Sequence, residues 1–257
     1  MLELKNVDVA AIDGDGNKIE ILKDINLSLE NKKIYVVTGP NGGGKTSLAK
    51  AIIGIYPVTS GSIALDGTEI AQKAITDRAS LGIGYAFQSP TRFKGLKVRE
   101  FLAIAAGTDD EATLYALLVD VGLCAQDYID REMNASFSGG ELKRVEIASV
   151  LARKLKVAVF DEPEAGIDLW SFQKLTETFR RLNETSETTI VIISHQERIL
   201  KLADEVILIA GGKVSEITTP EKILGEIEHE DPECKICPRC SERSLLSGVN
   251  EEYGVRV

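Results

Sequence analysis

Ile34-Tyr35-Val36-Val37-Thr38-Gly39-Pro40-Asn41-Gly42-Gly43-Gly44-Lys45-Thr46-Ser47 decides the fold of this chain. Ile34 to Thr38 is a compact, largely β-branched run that predicts a strand. From Lys45 to Ile53 the apolar residues Leu48, Ile52 and Ile53 fall on one helical face. The glycine-rich loop between them fits the phosphate-binding pattern GxxxxGK[ST] in its required setting, after a strand and before a helix. Glycines let backbone N–H groups turn inward around phosphate oxygens, and the following helix presents its positive end. Lys45 adds a full charge near the β and γ phosphates, and Thr46 offers a hydroxyl to Mg2+. Gly39, Pro40, Asn41, Gly42, Gly43, Gly44, Lys45, Thr46 and Ser47 are therefore the candidate ATP-binding residues. A glycine-rich turn that holds nothing is the competing reading, and the complete motif with both flanks outweighs it.

Working outward, 257 residues with 44% apolar content are enough for one sizeable core. A formal charge of −10 argues against a surface built to grip nucleic acid, so none is expected as a partner. The apolar runs, such as Val157 to Phe160, Thr189 to Ile193 and Val206 to Ala210, fall far short of the roughly 20 residues of a spanning helix. The first residues lack a signal-peptide pattern, which makes the cytoplasm the expected compartment.

Leu2 to about Leu29 alternates and is broken by the turn-rich stretch from Asp13 to Asn17, as antiparallel hairpin strands are. Val157 to Phe160 and Thr189 to Ile193 read as buried strands separated by a helix from about Leu169 to Asn183, which implies a parallel sheet. Val98 to Ala106, Glu111 to Val121 and Gly139 to Ala152 carry helical periodicity. One further strand follows Gly211-Gly212, then a short helix near Pro220. The expected fold class is α/β, with a mostly parallel core sheet, an antiparallel β edge and a helical subdomain at about 89–153. The expected domain spans 1–225, followed by a tail at 226–257.

Phe160-Asp161-Glu162 places two carboxylates at the carboxyl end of a buried strand, where open α/β sheets bind ligands. Asp161 is suited to holding Mg2+, and Glu162 to orienting or deprotonating an attacking water. Ser138-Gly139-Gly140-Glu141 reads locally as a capping box. Two consecutive glycines, however, weaken a helix and leave backbone N–H groups open to an anion, which favours a second phosphate site.

With these motifs in this order the chain resembles the ABC ATPase family, whose Ser-Gly-Gly-Gln signature appears here with Glu141 at its last position. The resemblance covers about the first 220 residues. It implies a P-loop ABC ATPase fold and Mg2+-dependent ATP hydrolysis, with Gln88 as the Q-loop residue touching metal and water. Asp168, in Ala165-Gly166-Ile167-Asp168, would stand in the D-loop, and His195 would be the switch histidine at the γ-phosphate. The candidate catalytic residues are thus Glu162, His195 and Gln88, and the candidate Mg2+ ligands Thr46, Gln88 and Asp161. The family further implies a head-to-tail homodimer, in which Ser138, Gly139, Gly140, Glu141 and Asp168 reach the ATP held by the other chain.

No aromatic residue occurs before Tyr35, so the ring that usually stacks on adenine is missing, and Ile12 or a neighbour is the expected substitute. Ala86-Phe87-Gln88-Ser89-Pro90, Gly166, Phe137 to Arg144 and Ser194 to Leu200 resemble the SufC branch, which drives iron–sulfur cluster assembly. That likeness implies a SufB/SufD-like scaffold partner. The rival reading is the nucleotide-binding subunit of an ABC transporter, docked through Gln88 to Lys94 on an integral membrane subunit. Cys234, Cys237 and Cys240 can reach one soft metal, either Zn2+ or an iron–sulfur cluster, with His229 or an outside ligand as fourth donor. Unengaged thiols in a tail are the competing reading.

Overall fold

The computed structural model describes residues 1–12, 14, 18–134 and 136–229. Strand β3 (Ile34–Thr38) is the centre of its larger sheet. β8 (Thr189–Ile193) and β9 (Glu205–Ala210) pair with β3 in parallel, and β7 (Val157–Asp161) pairs with β8. β6 (Ile83–Ala86) closes one edge in parallel, and β10 (Lys213–Thr218) closes the other antiparallel to β9. Alternation explains why the central strands are apolar throughout. Ile34, Val36, Ala158, Phe160, Ile190 and Ile192 enter the core on one face. Tyr35, Val37, Val157, Val159, Val191 and Ile193 enter the core on the other.

The second face is covered by α1 (Lys45–Ile53) and by a four-stranded antiparallel sheet. That sheet comprises β1 (Leu2–Ile12), β2 (Lys18–Leu29), β4 (Ser60–Leu65) and β5 (Thr68–Glu69) in the order β2-β1-β4-β5. The short α2 (Ile75–Ser80) precedes β6. The first face is covered by α3 (Val98–Ala106), α4 (Glu111–Asp120), α5 (Ala125–Tyr128), α6 (Gly139–Leu151) and α7 (Leu169–Thr185). α8 (Glu197–Leu200) and α9 (Pro220–His229) complete the described chain. The helical segment shares a single apolar cluster with the sheet: Val98, Leu102, Leu114, Leu118 and Val145 pack with Phe160 and Phe179. No helix among the described residues is long and apolar enough to cross a membrane.

The sequence reading named no strand at β6. Four residues containing a glycine give almost no alternation to detect, and the pairing partner lies over seventy positions away. A Cβ on Gly84 would stand 2.3 Å from Leu155 Cδ1, so a larger residue there would push the Leu155 side chain aside.

Candidate nucleotide site

Parallel pairing places the carboxyl ends of β3, β6, β7 and β8 along one edge of the sheet. There Val37 is level with Ile193, and Ile193 with Asp161. The loop after β3, Gln88 after β6, Glu162 after β7 and His195 after β8 therefore converge, as the ligand rule for open α/β sheets requires. A cavity of about 310 Å3 lies there, lined by Ile21, residues 41–47, Gln88 and Glu162.

The loop folds tightly against the sheet. A Cβ on Gly39 would stand 2.1 Å from the Ile209 carbonyl oxygen, and φ there is 133°, so only glycine fits. Lys45 Nζ donates to the carbonyls of Gly39 at 2.8 Å and Pro40 at 3.0 Å. Burial lowers the Lys45 pKa, and the carboxylates of Glu162 and Asp161 oppose that shift.

Asp161 is fully buried. Its Oδ1 accepts from Thr46 Oγ1 at 3.2 Å and its Oδ2 from Tyr85 Oη at 2.8 Å. Burial raises its pKa, while these two hydroxyls hold the charged form. A serine/threonine-type hydroxyl beside a carboxylate is a hard-oxygen donor pair that suits Mg2+, so the residues fit the metal the motif implies.

Gln88 Nε2 donates to Glu162 Oε2 at 2.7 Å. Glu162 has φ 46°, the left-handed region that a non-glycine residue adopts at a cost on the order of 1–3 kcal/mol. Its N–H donates to the Ile193 carbonyl at 3.0 Å, which fixes that conformation against the neighbouring strand. His195 Nδ1 lies 3.2 Å from Thr38 Oγ1, and burial, then Lys45, lowers the pKa of the imidazole, favouring the neutral ring.

Several contributors carried no sequence signal. Lys143, on α6, is 1% exposed. Its Nζ donates to the carbonyls of Phe87, Gln88 at 3.3 Å and Asp161 at 2.9 Å, tying the helix to both loops. Glu164 Oε1 accepts from Ser194 Oγ at 2.6 Å, and Ser194 Oγ accepts from Gln196 N–H at 3.0 Å, bracketing His195. In the cavity wall the apolar residue near the loop is Ile21 on β2, whereas Ile12 is 78% exposed and outside that wall. Ile21, from the same hairpin, is thus the apolar side chain beside the phosphate loop.

Ser138 caps α6 as expected: its Oγ accepts from Glu141 N–H at 3.2 Å, and Glu141 Oε2 accepts from Ser138 N–H at 2.7 Å. Glu141 also accepts from Tyr128 Oη and pairs with Arg131 at 3.8 Å. The two glycines differ. A Cβ on Gly139 meets nothing within 4 Å, but one on Gly140 would stand 2.1 Å from the Gly166 carbonyl. Gly140 is thus needed for close packing within the chain as well as for any anion contact. Asp168 caps α7, accepting from Trp170 N–H at 3.1 Å and Ser171 N–H at 3.0 Å. None of residues 138–141 or Asp168 lines the 310 Å3 cavity of this chain. The cysteines 234, 237 and 240 lie outside the described residues, among which no cluster of metal-ligating side chains occurs.

A family model described as ABC transporter matches residues 22–165. The chain is 37% identical over 234 residues to an uncharacterised ABC transporter ATP-binding protein of Methanocaldococcus jannaschii, covering 88% of this chain and 90% of that one. It is 32% identical over 216 residues to a probable ATP-dependent transporter of Cyanidium caldarium, covering 78% and 85%. Against a probable ABC transporter ATP-binding protein of Streptococcus pyogenes it is 34% identical over 212 residues, covering 78% and 80%. Its fold is similar to that of an ATP-binding cassette solved as a dimer in a post-hydrolysis state with ADP and Pi. The TM-score is 0.78 at 22% identity, over 86% of this chain and 99% of that one.

Proposed function

The chain belongs to the ABC transporter ATPase family and is an ATP-hydrolysing enzyme, and from that premise we propose that it is the nucleotide-binding subunit of a transporter. The observation that carries the site assignment is the convergence of residues 41–47, Gln88 and Glu162 on one cavity. Residues 39–47 cradle the phosphates, with Lys45 turning from its own loop carbonyls to the β and γ oxygens. Thr46 and Asp161 would hold Mg2+, which when bound would supply charge neutralisation for the phosphoryl group. Glu162 accepts a proton from the attacking water while Gln88 orients both. A bond forms from water oxygen to the γ-phosphorus, the bond to the β–γ bridging oxygen breaks, and ADP leaves. Neutral His195 donates to the γ-phosphate.

In this reading two chains meet head to tail, so that residues 138–141 and Asp168 of one close over the ATP of the other. Support comes from the place of these residues outside the chain's own cavity, with Gly139 open to a ligand. ATP then joins the two chains, and hydrolysis separates them.

Two observations favour a membrane subunit as partner. The relatives are named as transporter components. A mainly apolar groove of about 200 Å3 also opens beside Phe87, walled by Ile53, Ile55, Ile75, Ile83 and Tyr85 with Arg78 and Arg153, of a size to take one or two side chains of a partner helix. The chain would then work at the cytoplasmic face of a membrane. A second reading, the SufC-like motor with a SufB/SufD-like scaffold, rests on Ala86 to Pro90 and Phe137 to Arg144. Isolation of the native complex tests both: an integral membrane protein crosslinked to a photoreactive residue at Ile75 supports the first, and a soluble scaffold there overturns it.

A further inference from the structure

Tyr85 was assigned no role by its motif, yet it reaches the centre of the site. It lies on β6 in register with Val159, two residues before Asp161, and its hydroxyl donates to Asp161 Oδ2 at 2.8 Å. Thr46 Oγ1 occupies the other carboxylate oxygen. A fully buried carboxylate needs donors, and which donor sits on which oxygen fixes the plane of the group. With Oδ2 held by the phenol, Oδ1 faces Thr46 and the phosphate loop. The ring cannot easily swing away: Phe87 packs edge-on against it, with centroids 4.7 Å apart. The same ring forms part of the wall of the apolar groove.

We infer that Tyr85 is a positioning residue for the metal: by fixing the Asp161 carboxylate it sets the affinity of the nucleotide site for Mg2+. This rests on the reading of Asp161 as the metal carboxylate, and the experiment separates the two. In the full chain, binding of methylanthraniloyl-ADP is followed by fluorescence as Mg2+ is titrated, and again in EDTA, for wild type, Tyr85→Phe and Asp161→Asn. Tyr85→Phe keeps the ring and removes only the donor. The expected result is unchanged affinity in EDTA and a Mg2+ half-saturation raised on the order of tenfold, the lower end for loss of an outer-shell partner. Tyr85→Met, which removes the donor on a flexible side chain, is expected to shift the titration in the same direction. A wild-type Mg2+ titration for Tyr85→Phe beside a shifted one for Asp161→Asn would leave the phenol as packing and overturn the inference. An unshifted titration for Asp161→Asn would remove its premise.

Discussion

Gln88 Nε2 and Glu162 Oε2 lie 2.7 Å apart, joining the loop that leads into the helical segment to the loop that follows β7. The bond crosses 74 positions of sequence and exists because β6 and β7 are parallel neighbours ending on the same edge. A base held this way is oriented before substrate arrives. Glu162→Gln keeps the shape and removes the proton acceptor, so turnover should fall by about 10²-fold or more. The same variant should accumulate an ATP-dependent dimer, read by size-exclusion chromatography with and without ATP. Monomers only would remove the link between hydrolysis and dissociation.

Gly139 and Gly140 should respond differently to alanine. A methyl group on Gly140 must displace the Gly166 carbonyl, and overpacking of this kind costs about 1–3 kcal/mol. Denaturant unfolding of Gly140→Ala should show that loss. Gly139→Ala should unfold like wild type, apart from its small helix effect, and should lose ATPase activity if its open side faces the partner's nucleotide. Equal stability of the two variants would contradict the packing described here.

Much of this architecture was readable in the residues. The β-branched runs at 34–38 and 189–193 became central strands because both their faces are buried, and the phosphate loop announced itself by its glycines. Helix α7 ends at Thr185, two residues beyond the expected Asn183. What stayed hidden depends on pairs far apart in the chain. Tyr85 is unremarked in a short strand until β7 brings Asp161 to it, and Gly140 looks like an anion-binding residue until Gly166 is placed against it. Ile12 and Ile21 differ only in where the hairpin sends them.

Arg78 is a buried cation with no ion-pair partner within contact among the described residues, yet it is well satisfied. Its guanidinium donates to the carbonyls of Ala51 at 2.7 Å, Ile52 at 2.8 Å, Ala71 at 2.7 Å and Lys73 at 3.2 Å. Ala51 and Ile52 belong to the last turn of α1; Ala51 also accepts from Gly54 N–H at 3.2 Å, so Ile52 is the carbonyl that the guanidinium completes. Arg78→Ala removes the side-chain donor from the Ile52 and Ala71 carbonyls and should cost on the order of 3 kcal/mol in chemical denaturation. A loss below a few tenths would show that water replaces the guanidinium without penalty.

Glu146, on α6, accepts from Phe87 N–H through Oε1, while its buried Oε2 has no partner. Burial raises its pKa to about 7, opposed by the Phe87 N–H and by Lys143. The folded state therefore binds a proton that an unfolded glutamate, near 4.5, has released. Glu146 thus contributes stability below about pH 4.5 that is lost as pH rises towards about 7. Glu146→Gln should flatten that part of the thermal-midpoint profile, measured between pH 5 and 8 by differential scanning calorimetry. An unchanged slope would mean that Glu146 stays ionised in the folded chain.

The most direct test of a site shared by two chains is complementation between Lys45→Ala and Ser138→Arg, each expected to be inactive alone. A mixed dimer has one site built from the intact phosphate loop of one chain and the intact residues 138–140 of the other. Equal mixing should restore ATP hydrolysis to about a quarter of the wild-type rate, from half the dimers carrying one good site of two. A mixture no more active than its components, or full activity from Lys45→Ala alone, would contradict the account.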